Sequence, residues 1–95
     1  DAMALDHAEA AADLQQISRI RCNRGSHLTE QGDYERAIGE LDEAVQLADR
    51  CGSVPFRALG RSNRGEALVQ LGRYDEAVAD LDEARALFQW AGSAM

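Results

Sequence analysis

The run Asn23-Arg24-Gly25 recurs forty residues later as Asn63-Arg64-Gly65, and each copy opens a longer matching block. Between residues 23–48 and 63–88, twelve of the twenty-six aligned positions are identical without a gap. A fixed period of twenty to fifty residues is typical of a solenoid, in which each unit buries its apolar face only against its neighbours. The repeat therefore favours a surface that binds something over a catalytic pocket.

Apolar residues spaced three and four apart predict two helices in each unit, over residues 14–31 and 34–50 and again over 56–71 and 74–91. We therefore expect an all-α fold, an α-α superhelix of antiparallel helix pairs. The predicted divisions are an N-terminal segment 1–13, a first repeat 14–52, a second repeat 53–92 and a C-terminal end 93–95. Two units are fewer than the three or so that usually stabilise such an array, which indicates a piece of a longer array or one completed by self-association.

The breaks between the predicted helices carry residues that end or begin helices. Gly32, with Gly72 as its repeat, can take the left-handed conformation that closes a helix. Asp33 is the expected cap of the second helix. Gly52 ends that helix, Ser53 is the expected cap of the third, and Pro55 fits its first turn, where no backbone N–H is needed.

Residues 1–13 leave two interpretations open. In the repeat register they align with the end of a second helix, so they could be the tail of a preceding unit. They contain no Gly or Pro, so they could equally run straight into the first helix as one Ala-rich rod.

Two glycines stand in the middle of predicted helices, at Gly25 and Gly65, where glycine costs about 1 kcal/mol relative to alanine. Close approach of the facing helix explains both, because a missing side chain lets two backbones pack tightly. A phosphate-binding loop would need a preceding strand and a helix N-terminus after the glycine, and neither is predicted.

The repeated block resembles the tetratricopeptide repeat, over residues 18–50 and 58–91. The positions that carry the resemblance are Gly25, Leu28, Gly32, Tyr34, Ala37, Leu41 and Ala44, with Gly65, Leu68, Gly72, Tyr74, Ala77, Leu81 and Ala84. Two features depart from the family pattern: arginines replace the early aromatic of the first helix, and the period is forty. The longer period is similar to variants in kinesin light chains and in large bacterial regulators, which implies a cytoplasmic bacterial regulatory protein.

In that family the first helix of each unit lines a concave groove for peptides or partner helices. The residues that the resemblance places there, here called the groove set, are Arg19, Cys22, Asn23, Ser26, Thr29, Glu30, Leu59, Ser62, Asn63, Glu66, Val69 and Gln70. An asparagine there can hold a ligand's main chain, although it could instead bridge within the array. Binding of chaperone C-terminal tails is not expected, because Cys22 and Ser62 stand where that pattern needs basic residues.

The chain carries a formal net charge of −7, and all ten of its basic residues are arginines. An acidic balance disfavours nucleic acid as a partner. No apolar run is long enough to cross a membrane. Arginines cluster on the first helices and carboxylates on the second helices; we expect these to pair within the array, although the arginines could instead form a stripe for an acidic partner.

No set of residues predicts catalysis, a cofactor or a metal site. His27 has no histidine at the equivalent position of the second unit, and neither Cys22 nor Cys51 belongs to a pair with metal-ligand spacing. The two cysteines are expected to be free thiols in a reducing cytosol.

Phe88 and Trp90 make the last helix more apolar than its twin, which has Ala48 and Arg50 at these positions. Exposed aromatic residues at an array end favour homo-oligomers. The sequence thus supports a non-catalytic protein-interaction module that binds a peptide or partner helix. One alternative is a self-assembly segment that dimerises through its repeat ends, and another is a support or sensor region of a multidomain enzyme or transcription regulator.

Overall fold

The computed structural model describes residues 2–94, with side chains described for residues 9–92. This part of the chain forms four helices: α1 (Ala2–Glu30), α2 (Tyr34–Cys51), α3 (Val54–Gln70) and α4 (Tyr74–Ala94). Short turns make consecutive helices antiparallel, and the pairs α1–α2 and α3–α4 stack through contacts of α2 and α1 with α3. The predicted all-α array of helix pairs is confirmed.

Left-handed glycines close the turns where the sequence predicted them. Gly32, Gly52 and Gly72 have φ angles of 81°, 72° and 76°, a region that glycine enters without steric cost. Ser53 caps α3, because its hydroxyl accepts a hydrogen bond from the Phe56 backbone N–H at 3.4 Å. Asp33 stands at the N-cap position of α2, as predicted, but its side chain makes no capping hydrogen bond and instead pairs with Arg36 at 3.3 Å.

The two ends of the array differ from the simple repeat register. Helix α1 runs unbroken from Ala2, so residues 2–13 extend the first helix of the first unit. Helix α4 continues through Gly92 to Ala94, beyond the expected end at residue 91. Gly52 is followed by a capping serine and a proline that start another helix, whereas Gly92 is followed by Ser93 and Ala94, which are compatible with helix continuation. Asp1 and Met95 lie outside the described residues.

Glycine and leucine interlock at the centre of each helix pair. A Cβ placed on Gly25 would overlap the side chain of Leu41, which is fully buried, with Cδ2 only 2.6 Å away. A Cβ on Gly65 would come within 2.7 Å of Leu81 Cδ2 and 3.4 Å of the Ala77 carbonyl oxygen. The expected close approach at both glycines is therefore confirmed.

Small and branched residues fill the seams between the helices. The alanines of the repeated motif are all buried, namely Ala37, Ala44, Ala77 and Ala84. Leu28, Ile38, Leu41 and Leu68 form the centre of a core cluster that spans both units, with Tyr34 and Leu71 packed against it.

A third close approach joins the two units, at a glycine that the repeat does not share. A Cβ on Gly60 of α3 would come 2.9 Å from Val45 Cγ2 and 3.7 Å from Cys22 Sγ. The equivalent residue in α1 is Ile20, which is 49% exposed. Gly60 is therefore specific to the junction between α2 and α3, which explains why the internal repeat did not reveal it.

Candidate functional site

The groove set lies on α1 and α3, the first helices of the two units, which contact each other. All but one of its twelve members keep part of their surface open to solvent. Six are exposed: Arg19, Asn23, Glu30, Glu66, Val69 and Gln70. Five are half-buried: Ser26, Thr29, Leu59, Ser62 and Asn63.

Cys22 is the exception, and the expectation that it lines the groove is wrong. Its side chain is fully buried, and its sulfur lies near Gly60 of α3. Burial raises the pKa of the Cys22 thiol to about 11, and a hydrogen bond with Ser18 offsets only part of that rise. The neutral thiol therefore serves as packing between the two units.

Two asparagines stand at equivalent positions of this surface, one in each unit. Neither Asn23 nor Asn63 makes a side-chain hydrogen bond to any other described residue, so no bridge within the described array involves them. By contrast, Thr29 Oγ1 donates to the Gly25 carbonyl at 2.9 Å, and Arg19 Nε donates to Gln16 at 3.1 Å. The amides thus offer donors and acceptors at the same position of both units.

The other arginines of α1 are bound by carboxylates of α2. Arg21 contacts Glu40 at 2.8 Å and Glu43 at 3.2 Å, and Arg24 contacts Glu40 at 3.5 Å. Burial would raise the pKa of Glu40, but the hydrogen bond and charge of Arg21, supported by Arg24, hold it below its ordinary value. The expected pairing between first and second helices is confirmed here.

In the second unit the pairing is denser and crosses between units. Arg64 donates through Nε and Nη2 to Asp80 at 2.7 Å each, and through Nη1 to Asp42 of α2 at 2.8 Å. Arg61 also contacts Asp80, at 3.5 Å, and Arg57 contacts Asp49 of α2 at 2.6 Å. The hydrogen bonding of Arg64 to Asp80 is the largest cause of the raised pKa of Arg64, which stays charged.

Glu40 and Asp80 receive these arginines, and both belong to the second-helix carboxylates that the sequence predicted to pair with them. They occupy the same repeat position but differ in residue type. In each unit two first-helix arginines, three residues apart, contact the acid at this position. In this chain an ionic contact therefore stands where the family has an early aromatic.

A pocket of about 290 Å³ lies elsewhere, on the α1–α2 pair. Its walls are Ile17, Arg21, Glu43, Gln46, Leu47 and Arg50, and none of them belongs to the groove set.

Phe88 and Trp90 are both open to solvent, with exposed fractions of 50% and 61%. They stand two residues apart on α4, and residues at that spacing point to opposite sides of a helix. Phe88 shares its side with Tyr74 and Val78, which are also exposed. The structure thus separates the two aromatic residues expected to act together.

Other kinds of site are not represented in the described residues. No three of their His, Cys, Asp and Glu side chains are grouped so as to hold a metal ion. Both cysteines are free thiols. No described helix combines the length and apolar character needed to cross a membrane.

Comparison with known proteins gives one match. No curated protein and no solved structure matches the chain. The family model described as tetratricopeptide repeat matches residues 16–91, which include most of α1 and all of α2 and α3. Repeats of this family are in general protein-interaction modules without catalytic activity. Together with the paired helices and the glycine–leucine seams, this match shows that the chain belongs to the tetratricopeptide repeat family.

Proposed function

We propose that the chain is a non-catalytic module that binds a peptide or a partner helix along the groove set of α1 and α3. One observation carries the proposal: the amides of Asn23 and Asn63 stand at equivalent positions with no partner among the described residues. An amide offers both a donor and an acceptor, and can therefore pair with the main chain of a bound segment. Two amides on adjacent helices would hold that segment at two points.

The charges around the amides favour a partner without a strong net charge. Arg21 and Arg24, which could have formed a basic stripe, contact carboxylates of α2. The groove set contains one arginine, Arg19, and two glutamates, Glu30 and Glu66. An acidic tail would therefore find little to attract it. Leu59 and Val69 can contact apolar side chains of the ligand.

The setting proposed for this module is a larger regulatory protein of the bacterial cytoplasm. The forty-residue period supports the regulator, because the resemblance relates that period to large bacterial regulators. The two free thiols support a reducing compartment, where disulfides are rare.

A peptide library displayed on phage tests the groove. The full chain is used to select binders, and their affinities are compared for the wild type, Asn23→Ala/Asn63→Ala and a control, Gln89→Ala, which alters an exposed side chain of α4. Losing hydrogen bonds at both amides should weaken binding about tenfold or more, whereas the control should bind as the wild type. Selected peptides that bind the double variant unchanged, or that lose affinity for the control, would contradict the proposal.

A further inference from the structure

Helix α4 carries an open stripe with the spacing of a helix-packing seam. Its members are Tyr74, Val78, Leu81, Arg85 and Phe88, of which Leu81 is half-buried beside Gly65 and the other four are exposed. The steps of four, three, four and three keep them on one side of the helix, as in the seam of a coiled coil. Tyr74, Val78 and Phe88 are exposed by 63%, 56% and 50%, so large apolar side chains of this stripe face solvent.

The same stripe on α2 shows what such a surface does in this chain. Its members at equivalent positions are Tyr34, Ile38, Leu41, Val45 and Ala48. Ile38 and Val45 are only 8% and 4% exposed, and Val45 lies against Gly60 of α3. On α2 the stripe is therefore part of an established junction that seats another helix.

A second copy cannot reproduce that junction head to tail. The junction depends on Gly60, where even a Cβ would come 2.9 Å from Val45 Cγ2. If α4 of one copy received α1 of another in the same register, Ile20 would replace Gly60 and Arg85 would replace Val45. Both replacements are larger, so the helices could not approach to the same distance.

The α4 stripe is instead complementary to itself when two copies run antiparallel. Around a twofold axis at Leu81, Tyr74 meets Phe88 of the second copy, and Val78 meets Arg85. Aromatic pairs of this kind gain energy beyond the area they bury, and closed twofold dimers are the commonest assemblies of identical chains.

Charges along one side of the stripe match in the same arrangement. Asp75 and Asp82 stand three and four residues from Val78, on the surface next to it. Arg85 of the second copy, placed opposite Val78, would therefore lie between two carboxylates. In the single copy Arg85 has only a 3.4 Å contact with Asp82, and both side chains are well exposed.

We propose that the chain forms a twofold dimer through antiparallel contact of α4 with α4 of a second copy. The contact uses the stripe that includes Phe88 and leaves Trp90 outside. It is independent of the groove on α1 and α3, so failure of either proposal leaves the other standing. The stripe is short, and interfaces at the small end of the known range are weak.

Sedimentation equilibrium of the full chain against concentration tests the dimer. The apparent mass of the wild type should rise from 10.4 kDa toward twice that value over about 10–1,000 μM, as expected for a small interface. Phe88→Ser should raise the dissociation constant about tenfold or more, as for an aromatic anchor, and Trp90→Ser on the same helix should leave it unchanged. A wild type that stays monomeric, or equal effects of the two variants, would overturn the proposal.

Disulfide trapping tests the orientation. In a Cys51→Ala background, Val78→Cys and Arg85→Cys are prepared separately, oxidised alone and then oxidised as a mixture. Equivalent residues of the two copies would lie about 10 Å apart, seven helical residues, so neither variant should cross-link alone, whereas the mixture should give the mixed disulfide. Cross-linking of either variant by itself would indicate a parallel pair and overturn the antiparallel arrangement.

Discussion

Arg24 and Arg64 occupy the same position of the two units, but their surroundings differ. Arg24 is 56% exposed and reaches one carboxylate, at 3.5 Å, whereas Arg64 is 19% exposed and binds both Asp80 and Asp42. The neighbouring unit supplies one part of the difference, because Asp42 of α2 contacts Arg64, and Asp80 of the same helix pair supplies the other. A repeated residue therefore takes its energetic role from its place in the stack as much as from its side chain.

The glycines show the opposite behaviour. Gly25 and Gly65 have the same neighbour in both units, a leucine of the second helix in the same pair. Their role lies within the pair and does not depend on a neighbouring unit. The comparison thus divides the repeated motif into positions that build a helix pair and positions that join one pair to the next.

The largest expected effect comes from filling the seams within the pairs. Gly25→Leu and Gly65→Leu should each cost more than about 3 kcal/mol, because an added side chain overpacks a closed seam, and that is a large share of a small domain's stability. Circular dichroism should show loss of helix and of a cooperative melting transition in both variants.

Gly39→Leu is the matched control, since Gly39 lies on α2 with nothing within 4 Å of an added Cβ. It should keep the fold and change stability by no more than about 1 kcal/mol. If either seam variant melts as the wild type does, or if the control unfolds equally, the seams do not hold the pairs together.

Replacing Arg24 or Arg64 should cost less stability than filling a seam, and the two replacements should differ from each other. Arg64→Leu leaves Asp80, which is 5% exposed, with only the weaker contact to Arg61. Breaking one side of a buried pair should cost about 3 kcal/mol. Arg24→Leu removes an exposed contact and should cost about 0–1 kcal/mol. Urea unfolding measures both, and equal losses would contradict the different roles assigned to the two arginines.

The smallest effect concerns the ion pair of Glu40 with Arg21. The pKa of Glu40 is lower in the folded chain than its ordinary value of 4.5, so the pair stabilises the fold fully above that value. This contribution is lost as the pH falls through the folded pKa. In urea unfolding the wild type should be more stable than Glu40→Gln at pH 7, and the gap should close as acid protonates Glu40 in the folded chain. A gap that is constant with pH would count against the pair.

The sequence predicted best those features that both units share. The fixed period and the glycines gave the helix pairs, the turns at Gly32 and Gly72, and the seams at Gly25 and Gly65. These contacts are local to a unit, so two copies of one pattern define them.

Features specific to one place in the array were missed for the same reason. Gly60 has Ile20 as its counterpart, and Cys22 has Ser62, so the repeat gave no sign that Cys22 is buried near Gly60 at the junction. The stripe on α4 shares its pattern with α2, but only the packing of α2 against α3 shows what that pattern contacts. The contacts of the groove set with a ligand remain a prediction from the sequence.

Each helix pair is held together where a glycine packs against a leucine, and the two pairs are joined where Gly60 packs against Val45. A single nuclear Overhauser experiment on the folded chain tests this packing most directly. We predict strong cross-peaks from the Gly25 Hα protons to the Leu41 methyl groups, from Gly65 to Leu81, and from Gly60 to the Val45 methyl groups. If these cross-peaks are absent while the helices are intact, the packing described for this chain is wrong.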